Sequence, residues 1–351
     1  MDISKIDRNF AVPAEIEREG LKFYNVEEAP FKIYGVKREG ELFRRLPEAV
    51  AASVSPGVLH LHSHTAGGRV RFVTDATVIA IHAEMEGIGR MNHFAFAGSA
   101  GFDLYTGSRY VKTFVPPLDM TDGYDSLLDF SSRFAAGEKR VFTIHFPLYS
   151  RVRRLFVGVK EDCVVEAAPE YRFPTPVVYY GSSITQGGCA SRPSNAYQNI
   201  ISAELDCDHI NLGFSGNAKG EPAMADYIAG LNMSAFVLDY DHNAPTPAHL
   251  AATHEPFFKR IRAAHPDLPI LILTRPQYYL NAEEKERLAI ARKTYENALA
   301  AGDKNVYFIA GPDLVASVRN NALVDNTHPN DAGFVSMARA IGPVVAKMLG
   351  C

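Results

Sequence analysis

Groups that can catalyse acyl transfer recur in the second half of this 351-residue sequence. The segment 180–188, Tyr-Gly-Ser-Ser-Ile-Thr-Gln-Gly-Gly, presents the hydroxyls of Ser182 and Ser183. It lacks both the Lys-Ser/Thr pair of a phosphate-binding loop and the G-x-G-x-x-G pattern of a dinucleotide site. Further along, Asp325 precedes His328 by three residues. A carboxylate at that spacing can bind the imidazole Nδ1 and leave Nε2 to take a proton from a nucleophile.

Two further segments contain groups that can bind a developing oxyanion. The segment 211–217, Asn-Leu-Gly-Phe-Ser-Gly-Asn, has glycines that let a backbone N–H approach a ligand closely. The segment 239–244, Asp-Tyr-Asp-His-Asn-Ala, contains Asn243, whose amide can donate to an oxyanion. Each segment alone also suits an ordinary turn or helix cap. Together, the four segments supply a hydroxyl, a glycine, an amide and an Asp/His pair, which favours an acyl-transfer site.

The elements around these segments predict an α/β domain. Short apolar runs alternate with helical patterns, which is typical of a parallel sheet covered on both faces. The predicted strands are 177–180, 210–214, 235–240, 270–274 and 306–309, and the predicted helices are 196–205, 222–230, 248–265, 282–301 and 332–349. Because ligands bind at the carboxyl ends of such strands, the residues that follow each strand are where we expect the chemistry.

The first half of the chain has a different pattern, with short β-rich runs between Gly, Pro and charged turns. Close spacing and little helical periodicity predict an antiparallel, jelly-roll-like β-sandwich, with 118–136 as a helix or an irregular break. The predicted strands are 32–37, 59–63, 68–73, 77–82, 93–97, 141–145 and 154–160. Pro174 and Pro176 interrupt both patterns. We therefore predict a β-sandwich domain over residues 1–172 and an α/β domain over residues 173–351.

The four chemical segments resemble the four sequence blocks of the SGNH (GDSL-like) hydrolase superfamily, which carry a serine, a glycine, an asparagine and a D-x-x-H motif. By this resemblance Ser183 is the nucleophile, and Asp325 and His328 complete a catalytic triad. The oxyanion hole would consist of the N–H groups of Ser183 and Gly216 with the amide of Asn243. The resemblance implies a flavodoxin-like three-layer domain and ester hydrolysis without a metal or a cofactor.

Two of the four blocks depart from the family pattern, and a second motif extends the resemblance. Ser182 replaces the aspartate of the G-D-S block, and the segment 241–244, Asp-His-Asn-Ala, lacks the Gly and the Asp of G-x-N-D. Upstream, the segment 101–105, Gly-Phe-Asp-Leu-Tyr, resembles the G-x-D-L-Y motif of the β-rich domain that precedes some SGNH-type esterase domains. The two resemblances together span most of the chain.

Four residues are further candidates for substrate binding. Asp103 and Tyr105 would reach over the active site from the first domain, although a strand-end turn and a core tyrosine explain them equally well. Arg192 would bind a substrate carboxylate or, as we favour, simply pair with an acid on the surface. Tyr278, together with Tyr279, would form a wall on which a sugar stacks, whereas packing is the commoner fate of aromatic residues.

The histidines of one segment and the cysteines do not indicate a metal site or a catalytic cysteine. The segment 60–64, His-Leu-His-Ser-His, would place three imidazoles on one face of a strand. No partner carboxylate is identifiable, so a polar sheet face or an interface is favoured over a metal site. Cys189 follows the serine segment, but no cysteine-protease pattern surrounds it. The four cysteines have no C-x-x-C spacing, so we predict no metal and no cofactor.

Composition limits the classes of partner. The 36 Lys and Arg against 40 Asp and Glu give a net charge of −4, which argues against binding nucleic acid by charge alone. The chain shows no apolar stretch long enough to span a membrane and no leader peptide, so a cytoplasmic protein is expected. Nothing in the sequence decides whether it forms a homo-oligomer.

The most specific expectation is a serine esterase for short-chain acyl esters. An acetyl ester of a sugar or an oligosaccharide is favoured, because family members commonly act on such esters and no long apolar lid segment of the lipase type is present. Two alternatives stay open at this stage. The same site would serve an acyltransferase that passes the acyl group to an alcohol or an amine, or the chain would be a carbohydrate-binding protein whose hydrolase domain has decayed.

Overall fold

The first half of the chain forms two packed antiparallel sheets in this computed structural model, which describes residues 6, 12 and 16–351. One sheet has the strand order β1-β11-β6-β9, and the other has the order β12-β5-β10-β7-β8 with β2 also paired to β5, while β3 and β4 form a separate hairpin. The strands are β1 (Leu21–Asn25), β2 (Lys32–Tyr34), β3 (Lys37–Glu39), β4 (Leu42–Arg44), β5 (Arg69–Thr74), β6 (Val78–Glu86), β7 (Phe102–Thr106), β8 (Arg109–Phe114), β9 (Gly123–Asp129), β10 (Arg140–His145), β11 (Arg151–Lys160) and β12 (Val165–Glu166).

Strand β5 shows how this domain meets the second one. Val70 and Phe72 point into the core between the two antiparallel sheets, as strand alternation requires. Arg69 and Arg71 point the other way and are buried as well. The Arg69 guanidinium pairs with Asp208 of the second domain at 2.5 Å. The outer face of this sheet is therefore an interface between the domains.

Three short helices interrupt the β-rich half, and two of them replace predicted strands. They are α1 (Glu48–Val54), α2 (Pro56–Leu61) and α3 (Phe96–Ser99). The predicted strand 59–63 is wrong because Ser55 caps α2, accepting from the Val58 N–H at 3.1 Å, and Pro56 occupies its first turn. The predicted strand 93–97 is a turn followed by α3, and the predicted break 118–136 contains β9.

The second half forms a five-stranded parallel sheet between helices. Its strand order is β14-β13-β15-β16-β17, so the predicted combination of an antiparallel domain and a parallel α/β domain is confirmed. The strands are β13 (Phe173–Gly181), β14 (Cys207–Gly213), β15 (Ala235–Asp239), β16 (Ile270–Leu273) and β17 (Val306–Ile309), and the helices are α4 (Ser183–Gln186), α5 (Tyr197–Leu205), α6 (Pro222–Ala229), α7 (Pro247–Ala264), α8 (Ala282–Ala300), α9 (Gly311–Leu314) and α10 (Asp331–Met348).

Alternate residues of each parallel strand feed two separate cores. Val178 and Tyr180 of β13 pack in the cluster that includes α6 and α7, and Leu61 of α2 joins the same cluster. Val177 and Tyr179 pack on the opposite face with α5 and α10. The result is a three-layer α/β/α domain, one face of which is partly covered by α1 and α2 of the first half. None of the helices in the described part of the chain is long and apolar enough to cross a membrane.

The strand register brings the predicted chemical segments together. Gly181 at the end of β13 pairs with Gly213 at the end of β14 and with Asp239 at the end of β15. The segments that follow these three residues therefore start at the same level on the carboxyl edge of the sheet.

Candidate active site

Ser183 is the first residue of the short helix α4. The hydroxyl of Ser182 caps this helix by accepting from the Ile184 N–H at 3.1 Å. Serine and aspartate are both good N-caps, which explains why serine can replace the family's aspartate here. The helix packs closely on the sheet because Gly213 has no side chain: a Cβ there would lie 2.2 Å from the backbone nitrogen of Gln186.

The side chains of Ser183, His328 and Asp325 form a continuous hydrogen-bonded chain. His328 Nε2 lies 2.9 Å from Ser183 Oγ, and His328 Nδ1 lies 2.8 Å from Asp325 Oδ2. The other carboxylate oxygen accepts from the backbone N–H groups of His328 at 2.8 Å and Thr327 at 3.1 Å. Partial burial pulls the pKa of Asp325 upward, but the hydrogen bonds and the charge of His328 outweigh it and lower that pKa to about 2. The carboxylate is therefore ionised at neutral pH.

The loop that carries Asp325 and His328 is fastened to its neighbours by Arg275. This residue follows β16, and its Nη2 donates to the carbonyl of Asn326 at 2.5 Å and to Thr327 Oγ1 at 3.1 Å. Its Nη1 pairs with Glu284 of α8 at 2.6 Å. Arg275 thus connects the loop to the start of a long helix.

Gly216 follows β14 and Asn243 follows β15. These two strands flank β13, the strand that leads to Ser183. Gly216 is exposed and has a φ of +68°, which an L-residue rarely adopts. The N–H of the preceding Ser215 donates to Gln186 Oε1 of α4 at 3.0 Å, so this turn is attached to the nucleophile's helix. Asn243 ends a 3₁₀ turn, and its Oδ1 is buried without a hydrogen-bond partner among the described residues.

Two buried carboxylates lie beneath the site. Asp239 Oδ2 accepts from the hydroxyls of Thr185 at 2.9 Å and Tyr197 at 3.0 Å. Burial, with a smaller contribution from the nearby Asp241, raises the pKa of Asp239 to about 7. Burial likewise raises the pKa of Asp241 to about 6. This network supports α4 from below.

Asp103 joins the domains and does not face a substrate. It is fully buried, with Oδ1 2.8 Å from His145 Nδ1 and Oδ2 accepting from the Ser194 N–H at 2.8 Å. Ser194 belongs to the second domain, in the 3₁₀ turn Pro193–Asn195. The expectation that Asp103 contacts substrate is wrong in this structure, because both of its oxygens are engaged in the domain interface.

Tyr105 and Arg192 belong to the same interface. Tyr105 is buried, and its hydroxyl accepts from Arg192 Nη1 at 3.2 Å. Arg192 also lies 3.9 Å from Asp103 Oδ2 and 3.9 Å from the ring centroid of Tyr110. Tyr105 is buried, as the core alternative predicts. Arg192 lies near an acid, but this acid is buried in the domain interface and does not lie on the surface.

Tyr278 stays a candidate for substrate binding. Its ring packs edge-on against that of Tyr279 at 5.0 Å, and Tyr279 is 66% exposed. The preceding Gln277 donates to Asn326 Oδ1 of the loop that carries His328 at 3.0 Å. The tyrosine pair is therefore attached to the active-site loop.

Three site neighbours come from the first domain, and of these only His64 belongs to a segment that a sequence pattern had singled out. Tyr149 donates from its hydroxyl to the carbonyl of Ser183 at 3.3 Å. His93 Nε2 lies 3.6 Å from Asp325 Oδ2. His64 lies 3.3 Å from the Gln186 side-chain nitrogen. The first domain thus borders the active site directly.

The histidines of the segment 60–64 do not share one face of a strand. His60 is in α2 and His62 is its C-cap, not on a strand face, and His62 Nδ1 hydrogen-bonds the Leu59 carbonyl at 2.5 Å. His64 is directed into the domain interface, as the preferred alternative predicted. Within residues 16–351, the group with convergent metal-ligating atoms is a different one: His93, Cys189 and His328.

Cys189 lies beside the hydrogen-bonded chain of Ser183, His328 and Asp325. Burial, and to a lesser extent the charge of Asp325, raises the pKa of its thiol to about 12. A thiol with that pKa is protonated at neutral pH and reacts poorly.

Family comparisons agree with this geometry. Residues 174–346 match the model of the GDSL-like Lipase/Acylhydrolase family, and residues 21–165 match a model for the GxDLY N-terminus of SGNH-hydrolase-type esterases. The chain belongs to the GDSL-like lipase/acylhydrolase family. It is accordingly a carboxylic ester hydrolase by family, with the GxDLY type of N-terminal domain. A comparison with curated protein sequences gives no significant match.

Solved structures resemble both halves of the chain at once. A GDSL-like lipase candidate from Bacteroides ovatus ATCC 8483 is 28% identical, with a TM-score of 0.82 over 94% of this chain and 98% of its own. A salicylyl-acyltransferase from a tetracycline biosynthetic pathway is 19% identical, with a TM-score of 0.76 over 94% and 98%. An acetyl xylan esterase from the rumen bacterium Butyrivibrio proteoclasticus is 12% identical, with a TM-score of 0.61 over 94% and 99%. The latter two likenesses show the fold alone.

Proposed function

We propose that this protein is a serine esterase that removes short acyl groups, acetyl in particular, from carbohydrate esters. The observation that carries the proposal is the hydrogen-bonded chain from Ser183 Oγ through His328 to Asp325, with distances of 2.9 and 2.8 Å. An acetyl xylan esterase shares the two-domain fold, which supports the carbohydrate part.

The first half-reaction acylates the enzyme. Ser183 Oγ attacks the ester carbonyl carbon while His328 Nε2 accepts the hydroxyl proton. The Asp325 carboxylate holds Nδ1–H and stabilises the imidazolium that forms. The tetrahedral oxyanion is bound by the N–H groups of Ser183 and Gly216 and by the Asn243 amide. The imidazolium then protonates the leaving alkoxide, the carbon–oxygen bond of the ester breaks, and the acyl group stays on Ser183.

The second half-reaction releases the acid. A water molecule takes the place of the departed alcohol, and His328 Nε2 accepts one of its protons as it attacks the acyl carbonyl. The new tetrahedral intermediate collapses, and Ser183 Oγ recovers the proton from His328. The cycle consumes one water and yields one carboxylic acid and one alcohol.

The test compares p-nitrophenyl esters from acetyl to octanoyl, and acetylated xylo-oligosaccharides, as substrates. We expect the rate to fall with acyl length, acetate to be released from the oligosaccharides, and Ser183→Ala to lose at least ~10³-fold in kcat. Ser182→Ala is the matched control because it removes the adjacent hydroxyl and a helix cap but leaves the nucleophile. Equal loss in both variants would refute the assignment of Ser183. Preference for octanoyl would refute the short-acyl proposal, and failure on the oligosaccharides would refute the carbohydrate part.

Acyl transfer is the second candidate, because an acyltransferase aligns with 94% of this chain at a TM-score of 0.76. In that reaction an acceptor alcohol replaces water in the second half-reaction. The measurement is the ratio of transferred to hydrolysed acetyl groups with rising concentrations of an alcohol acceptor. A hydrolase should release free acetate as its main product even at high acceptor concentration.

A further inference from the structure

We propose that His93, Cys189 and His328 form a transition-metal site at which Zn²⁺ binding switches the esterase off. The inhibitory part rests on the proposed function, since it requires His328 to be the catalytic base. The site itself rests on the positions of the three side chains and not on the activity.

The three ligating atoms converge from separate parts of the chain. One ring nitrogen of His93, one ring nitrogen of His328 and Cys189 Sγ all lie within 4.8 Å of one another. Tetrahedral Zn²⁺ with nitrogen and sulfur ligands at ~2.0–2.3 Å needs separations of about 3.3–3.8 Å. His93 belongs to the segment between β6 and α3, and its side chain is 42% exposed. Its Nε2 lies 3.6 Å from Asp325 Oδ2, and rotation of this exposed ring would supply the ~1 Å of movement that closure of the site requires.

His328 is already oriented as a metal ligand. Its Nδ1 is engaged with Asp325 Oδ2 at 2.8 Å, and its Nε2 lies 2.9 Å from Ser183 Oγ. Nε2 is therefore the nitrogen that a metal would take, by displacing the hydrogen bond from Ser183. Metal-bound histidines commonly have such a carboxylate on the other ring nitrogen, which fixes the tautomer and strengthens the ligand. The rings of His93 and His328 face each other with centroids 5.6 Å apart.

Cys189 supplies the ligand that selects the metal. Its backbone φ of +74° is unusual for a residue with a side chain, and this conformation holds the thiol next to the histidines. Two imidazoles and one thiolate suit Zn²⁺ or Co²⁺, whereas Mg²⁺ and Ca²⁺ prefer oxygen ligands. On binding, the metal replaces the thiol proton, which leaves to solvent, and a water molecule fills the fourth position. No oxidant or reductant is involved.

Occupation of the site removes the catalytic base. The lone pair of His328 Nε2 that would accept the Ser183 proton is donated to the metal instead. Acylation and deacylation both need that lone pair, so the metal-bound protein should be inactive until a chelator removes the ion.

The site is tested independently of activity by Co²⁺ titration of the reduced full-length protein. We expect one equivalent of Co²⁺ to produce a near-ultraviolet thiolate-to-cobalt charge-transfer band, and Zn²⁺ to abolish it. Cys189→Ser should remove the band, and His93→Gln should weaken Co²⁺ binding by at least about tenfold. Cys163→Ser, at a partly buried thiol of the first domain, is the matched control and should keep the band. Absence of a band in the wild type, or its persistence in Cys189→Ser, would overturn the proposed site.

The switch is tested by Zn²⁺ inhibition, with each variant compared with its own metal-free rate. We expect wild type and Cys163→Ser to be inhibited by Zn²⁺ and restored by a chelator, and Mg²⁺ to have no effect. Cys189→Ser and His93→Gln should each need at least about tenfold more Zn²⁺ for half-inhibition. Equal sensitivity of Cys189→Ser and wild type would refute the switch. If no variant hydrolyses any ester, the proposed function fails, while the Co²⁺ spectra still decide the metal site.

Discussion

Each of the two carboxylate oxygens of Asp325 has a different role. One oxygen binds His328 Nδ1, and the other binds the backbone of the same loop. Asp325→Asn should keep the loop but weaken control of the imidazole tautomer, so we expect kcat to fall by ~10²–10⁴-fold while thermal stability changes little. Because the pKa of Asp325 is about 2, its carboxylate stays ionised from about pH 5 to about pH 8 and does not itself add a pH dependence to the wild-type rate in that range. An unchanged kcat would remove Asp325 from the mechanism; Asp119→Asn, at an exposed position, is the control.

The raised pKa of Asp239 predicts an effect on folding stability rather than on the reaction rate. Its pKa is raised to about 7, whereas an aspartate in the unfolded chain has a pKa near its ordinary value of 3.8. Between about pH 4 and about pH 7 the folded protein therefore binds more protons at this site than the unfolded chain. Folding stability must fall as the pH rises through that window, because ionising a buried carboxylate is unfavourable.

Asp239→Asn should remove this pH-dependent cost. The amide oxygen can still accept from Thr185 and Tyr197, so the network beneath α4 is kept. We expect the variant to exceed wild type in unfolding free energy by on the order of 1–4 kcal/mol at about pH 8, and the difference to disappear towards about pH 4. Urea denaturation at a series of pH values measures this. A constant difference across the series would contradict the raised pKa.

At the scale of elements, the active-site loop depends on Arg275. Its hydrogen bonds to Asn326 and Thr327 and its ion pair with Glu284 connect the loop to β16 and α8. Arg275→Ala should displace the His328 side chain and lower kcat by ~10–10²-fold. Arg275→Lys retains the charge but cannot reproduce the forked contacts, so an intermediate loss is expected. A pure KM effect in Arg275→Ala would instead indicate that the residue contacts substrate.

Elements could be predicted where the hydrophobic pattern of a segment matches its burial in the folded protein. Each strand of the parallel sheet is an apolar run bounded by turn residues, and all five lie close to the predicted positions. The prediction of a strand at 59–63 is wrong because the run Leu-His-Leu-His-Ser alternates apolar and polar residues, while the helical signal of the Ser55 cap and Pro56 is only two residues long. Burial of Leu61 against the second domain stabilises the helix, and that contact is not visible in a local window.

At the scale of the whole molecule, the first domain is part of the active site. Arg45 is fully enclosed between the domains and donates to the carbonyls of Asn211 at 3.2 Å and Gly213 at 2.5 Å, at the end of β14. Tyr149 reaches the Ser183 carbonyl. These contacts fix the strand end and the turn from which Ser183 and Gly216 project. Short motifs could predict the three side chains that form the hydrogen-bonded chain of Ser183, His328 and Asp325. They could not predict the residues that hold these side chains in place, since the latter are distant in sequence and share no pattern.

Asp103, the aspartate of the GxDLY segment, lies between the two domains. Its substitution should therefore show how strongly the first domain affects the active site. Asp103→Ala leaves His145 Nδ1 and the Ser194 N–H without their buried partner. Each orphaned group costs about 1–3 kcal/mol, so we expect an unfolding free energy lower by roughly 2–5 kcal/mol. Ser194 lies in the segment between α4 and α5, so the nucleophile's surroundings should loosen as well and kcat should fall.

The design of this experiment separates a domain junction from a substrate contact. Asp119→Ala, at an exposed site with no partner among the described residues, controls for loss of a charge. If Asp103 holds the domains together, stability and kcat fall while KM changes little, and urea unfolding followed by fluorescence and by activity ceases to coincide. If Asp103 instead met substrate, KM would rise with stability unchanged, which its complete burial and its two 2.8 Å hydrogen bonds argue against.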